Sequence, residues 1–126
     1  MIRVGQAPVS LAIPADAAYI RLVRLVVASL ASDLGYDYEG VEDVRIVADE
    51  VANLAIRSCG PGGSIRVDII ASGRTVDVVM RCPTDRNDVA FEPLASQLVA
   101  VLTATCTVSI SEGELEIRFK CPAPSL

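Results

Sequence analysis

Residues 9–13, Val-Ser-Leu-Ala-Ile, set larger aliphatic side chains in alternate positions and run into Pro14, a pattern that predicts a short strand at a sheet edge. The spacing then changes to that of a helix over 19–34. Ile20, Val23, Val27 and Leu30 fall on one stripe and Arg21, Arg24 and Ser32 lie off it, with Asp16 as the candidate cap and Gly35 as the stop. After an acidic link at 36–40, a second helix is expected over 41–58, its apolar stripe made of Val44, Val47, Val51 and Ala55 and its end marked by Gly60-Pro61-Gly62-Gly63. Alternation returns in 65–71 and 75–82, which form a hairpin about Ser72-Gly73-Arg74. A polar stretch over 84–92 leads through Pro93 into a short apolar helix at 94–105. A second hairpin, 106–111 and 114–121 about Glu112-Gly113, precedes a Pro-containing tail. The order strand, helix, helix, strand, strand, helix, strand, strand predicts an α+β fold. In it a mixed, mostly antiparallel sheet carries helices on one face as a two-layer sandwich.

The 126 residues suffice for one domain, 1–126, and for a single two-layer core. That core should be aliphatic, because Tyr19, Tyr36, Tyr38, Phe91 and Phe119 are the only aromatic residues. A net charge of −5 argues against a grip on nucleic acid, which needs clustered Lys and Arg to neutralise phosphates. The acids are unevenly spread: Asp33, Asp37, Glu39, Glu42, Asp43, Asp49 and Glu50 are opposed over that stretch by Arg45 alone. They form either a solvated face rich in helix-start acids or a landing surface for a basic partner. With no uncharged run of membrane-spanning length and no signal-peptide pattern, a cytoplasmic protein without a membrane segment is expected. Cys59, Cys82, Cys106 and Cys121 form no C-x-x-C pair and there is no histidine, so free, inert thiols are expected and no metal site. The lack of histidine also excludes Ser-His and Cys-His nucleophile pairs.

Three stretches resemble a known family. Ile13-Pro14-Ala15-Asp16-Ala17-Ala18-Tyr19-Ile20-Arg21, the run from Val41 to Val51, and Ala55-Ile56-Arg57 are similar to the RsbW-like anti-sigma factors and serine kinases of the histidine-kinase-like (GHKL) ATPase superfamily. The resemblance implies the histidine-kinase-like ATPase fold. It also implies that a Glu of the second helix orients the attacking hydroxyl while an Asn four residues later holds the magnesium of ATP. Glu50 occupies the family position, but Leu54 stands where the amide belongs and Asn53 lies one residue early. One residue on a helix is a turn of about 100°, so Asn53 leaves the face of Glu50. Asp49 and Asn53 are also four apart, but pairing them on the nucleotide side requires rolling the apolar stripe out of the core. The family's adenine-reading D-x-G-x-G turn is replaced by residues 81–88, where Asp85 is the one candidate mimic and no glycine occurs. Its glycine-rich phosphate cradle is replaced by residues 92–98, which open with Glu92-Pro93.

These departures lead to the expectation of a regulatory protein-binding module, anti-sigma-factor-like, that neither binds ATP and magnesium nor acts as a kinase. Its partner would be a sigma factor or an anti-sigma antagonist. The resemblance places Arg21 at the partner contact, with Arg24 one turn on. The alternative is an ATP-dependent serine kinase phosphorylating an antagonist, with Glu50 as catalytic base and Asn53 and Asp85 as nucleotide ligands. A third reading is a non-catalytic dimeric scaffold, a homodimer paired through the exposed first strand.

Overall fold

The computed structural model describes residues 8–122. Strand β1 (Val9–Pro14) leads through a 3-10 turn (Ala17–Tyr19) into helix α1 (Ile20–Asp33), followed by α2 (Tyr38–Ser58), β2 (Ser64–Ser72), β3 (Thr75–Pro83), α3 (Pro93–Leu102), β4 (Thr105–Ser111) and β5 (Glu114–Lys120). The strands form one sheet in the order β1-β2-β3-β5-β4, with all four pairings antiparallel. The mixed sheet expected from the sequence is therefore wholly antiparallel among the described residues. The crossover through α3 does make β4 run parallel to β3, but β5 occupies the place between them, so the parallel strands never touch. As expected, β1 lies at an edge of the sheet.

Alternation decides which way the sheet faces. Ile65, Val67, Ile69, Val76, Val78, Met80, Leu115, Ile117 and Phe119 point inward and are fully or almost fully buried. They meet Ile20, Val23, Val27 and Ala31 of α1 and the whole predicted stripe of α2, Val44, Val47, Val51 and Ala55, all buried. Leu30, expected on the α1 stripe, is half-buried, and Ala31 takes the central place. Helix α2 lies between α1 and α3 and contacts both.

Local chemistry moved several boundaries. Asp16 caps the 3-10 turn by accepting from the Ala18 amide at 2.9 Å, and α1 follows from it. At the other end Tyr36 N donates to Ala31 O and Gly35 N to Ser32 O, each at 3.1 Å, a Schellman closure that needs the positive φ of 95° at Gly35. Helix α2 begins three residues before the expected start because Asp37 accepts from Gly40 N at 2.8 Å and caps it there, drawing most of the acidic link into the helix. Helix α3 stops at Leu102 rather than 105. The Thr103 hydroxyl donates to Val99 O at 2.7 Å and Ala104 N to Lys120 O at 2.8 Å, which commits Thr105 to β4. Strand β5 ends at Lys120, and Cys121 still donates to Val76 O at 3.0 Å. The tail beyond Pro122 lies outside the described residues.

Candidate functional site

The orientation of α2 decides which side chains share a face. Asp49 reaches across to α1, where its Oδ1 lies 2.9 Å from Arg24 Nε, and neither atom has another hydrogen-bond partner. Asn53 stands four residues from Asp49 and three from Glu50, a helical neighbour of both. Toward α3, Asp43 and Val44 line a groove together with Val101 and Leu102. Glu50 is seven residues, almost two full turns, beyond Asp43 and so lies on the α3 side, with Leu54 one turn further. Glu50 is half-buried and Leu54 only 3 % exposed. Glu50 and Leu54 thus face α3 and Asp49 faces α1, while Asn53 falls between them, about 60° round the helix from Glu50 and about 100° from the family position at 54. It leaves the Glu50 face less completely than the one-residue shift suggests. Leu54 offers no oxygen to a hard cation such as magnesium. In the alternative Asp49–Asn53 pair, Asp49 is turned toward α1, because the stripe Val44, Val47, Val51, Ala55 stays in the core.

Asp49 is held above the ordinary carboxylate range by burial, and the opposing pull of Arg24 and then Arg45 does not restore it. This is a desolvated carboxyl committed to an arginine of the same chain. It is a structural link between α1 and α2.

Beyond β3, the loop is fastened by a residue that no motif or spacing marks. Thr84 is buried; its amide donates to Gly113 O at 2.8 Å and its hydroxyl donates to Ser58 O at 2.7 Å while accepting from Arg86 N at 3.1 Å. One residue therefore joins the end of α2 and the loop through its side chain and the β4–β5 turn through its amide. A threonine in a polar loop carries no periodic signal that would reveal this. Asp85 follows directly and is exposed. At the start of α3, Glu92 occupies the cap position without a side-chain cap bond and Pro93 fills the first turn, where it removes a backbone donor.

The four cysteines are free thiols. Burial, with the adjacent Cys59 thiol adding to it, pushes Cys82 up to about 12; burial likewise pushes Cys121 up to about 12 and raises Cys106. Protonated thiols are poor nucleophiles. Among the described residues no group of side chains is arranged to hold a metal ion, and no helix is long and apolar enough to cross a membrane.

On the outer side of α1, Arg21, Arg24, Leu25, Ala28 and Arg45 line a shallow depression. Arg24 is spent on Asp49, and Arg45 on Glu42 at 2.6 Å. Arg21 is exposed and makes no ion pair among the described residues, and Leu25 beside it is 68 % exposed. The two arginines singled out from the sequence thus differ: one is free, the other is bound.

No protein-family model matches the chain. The serine-protein kinase RsbW of Bacillus pumilus is 25% identical over 112 residues, 85% of this chain and 68% of that protein. Its namesakes from Bacillus velezensis and Halalkalibacterium halodurans are 35% and 33% identical over 49 and 58 residues, covering 31% and 36% of their own lengths. Among solved structures, the RsbU and RsbW domains of a Mycobacterium tuberculosis protein superpose with a TM-score of 0.68 at 15% identity, over 96% of this chain and 35% of that one. The chain therefore spans about a third of the solved relative, and it shares the RsbW-like, GHKL-type fold.

Proposed function

We propose that this protein is an RsbW-like regulatory module that captures a protein partner, in the manner of an anti-sigma factor, without binding ATP or transferring phosphate. The observation that carries the reading is the placement of Leu54: an almost fully buried aliphatic side chain one turn from Glu50, with the nearest amide, Asn53, rotated about 100° from that position. A magnesium–ATP complex finds no oxygen at 54 and no glycine in the loop after β3, while Glu92 brings a carboxylate to the start of α3. The residues do not fit that cofactor. The chemistry left to the chain is recognition.

The surface available for it is Arg21 with Leu25, a planar five-donor cation beside an exposed aliphatic side chain. A partner offering a carboxylate next to an apolar contact suits both, and a sigma factor or an anti-sigma antagonist is the partner the family likeness suggests. The serine-kinase reading keeps one supporting observation, the half-buried Glu50 on the α3 side. Arg21→Ala tests the recognition reading. It should leave the melting temperature unchanged and weaken binding of a purified sigma factor or antagonist by roughly tenfold or more. Unchanged affinity would remove Arg21 from the interface.

A further inference from the structure

The acidic stretch around the start of α2 is only partly accounted for by capping, and the structure sets it beside an unusually apolar helix. Helix α3 reads Pro-Leu-Ala-Ser-Gln-Leu-Val-Ala-Val-Leu, yet Val99 is its one fully buried residue. Leu94, Leu98 and Val101, spaced four and three apart, form a single stripe pointing away from Val99 and are 82, 38 and 79 % exposed. Such a stripe is not needed for the core of this domain. Its C-terminal end runs into a groove of about 260 Å³, where Val101 and Leu102 face Val44 and the carboxylates of Asp37, Glu39 and Asp43.

No Lys or Arg belongs to the lining, and Arg74, close enough to act on the Tyr36 hydroxyl, lies outside it. The positive end of α2 and the negative end of α3 meet at the groove and largely offset one another, so the three carboxylates set its potential. The groove is at the opposite end of α3 from Glu92 and the loop after β3, so it is separate from the position a nucleotide would take.

We propose that this groove, with the α3 stripe, docks an amphipathic segment of a partner protein that presents aliphatic side chains flanked by lysine or arginine. Aliphatic anchors would cover Val101 and Leu98, while the cations meet Asp43, Glu39 and Asp37; an acidic or neutral segment would leave those carboxylates unpaired at the rim. The surface is independent of Arg21 on α1, so failure of that interface leaves this one standing, and the reverse.

The test uses a short fluorescent leucine–lysine amphipathic peptide as probe, read by anisotropy at physiological ionic strength, with a leucine–glutamate peptide of equal length as counterpart. The wild-type protein should bind the first and not the second. Val101→Ser, at a site the fold does not use, and Asp43→Asn should each weaken binding by roughly tenfold. Val9→Ser and Asp88→Asn, exposed residues on β1 and in the loop after β3, should not. Thermal melts establish that each variant is folded, and Val101→Ser alone suffices if Asp43→Asn is not. Absence of binding, or equal losses in the two distant variants, overturns the proposal. So does a wild-type dimer in sedimentation that Val101→Ser converts to monomer, because the groove is then covered by a second copy.

Discussion

Asp49 and Asp68 are both aspartates paired with arginine, yet their surroundings move them in opposite directions. Asp68 receives the Ser10 hydroxyl and the guanidinium groups of Arg66 and Arg81, each at 3.2 Å from Oδ2, and is held below the ordinary carboxylate range, the Ser10 bond contributing most. A carboxyl whose pKa falls on folding adds stability that is complete above its unfolded value of about 4 and disappears as pH drops through the folded value. Asp68→Asn should therefore lower the melting temperature at neutral pH, and that loss should shrink as pH falls below about 4, which a pH series of melts would check. Asp49, raised by burial, has the reverse sign: its contribution falls as pH rises through its folded pKa. Its partner matters accordingly. With side chains 39 and 35 % exposed, the Arg24–Asp49 pair lies in the range of about 0.2–1 kcal/mol, and Arg24→Ala should cost about that much where Arg21→Ala costs nothing measurable. If Arg24→Ala proved as silent in melting as Arg21→Ala, the link between α1 and α2 would not be energetic.

At the scale of elements, the sequence showed every helix and strand, and failed by a few residues where a side-chain bond outvoted the periodicity. The stripe of α2 was legible because four aliphatic residues recur at helical spacing, whereas its start depended on Asp37, whose capping bond to Gly40 is invisible in a run that reads as an acidic link. The end of α3 was missed for a similar reason, since Thr103 and Ala104 are fixed by Val99 and by Lys120, the latter distant in sequence. Thr84 is the clearest case. Its role arises from three elements meeting, and Thr84→Val, which keeps the shape but removes the hydroxyl, should destabilise by about 1–3 kcal/mol in denaturant unfolding because the Ser58 carbonyl loses its donor. A cost below a few tenths would mean that water replaces the hydroxyl there.

Across the whole molecule, one face of the sheet is covered by helices and the other is held by charge. Arg81 bridges Asp68 on β2 and Glu116 on β5 at 3.2 and 3.0 Å, and Arg118 pairs with Asp77 at 2.9 Å. The outward direction of these residues was legible from strand alternation, but their pairing was not, since it depends on β5 entering between β3 and β4. The same non-local arrangement brings α3 against α2 and decides what surrounds Glu50. Leu54→Asn bears on that arrangement: restoring the family's amide at a site only 3 % exposed should cost about 2 kcal/mol or more in stability, as expected of a residue recruited to the core. The most direct test of the central claim is a titration of the wild-type protein with ATP and magnesium, followed by calorimetry and by melting temperature. The account predicts no binding heat and no shift at millimolar nucleotide. Saturation at about a hundred times the dissociation constant would add about 2.7 kcal/mol, so a rise of several degrees would contradict it.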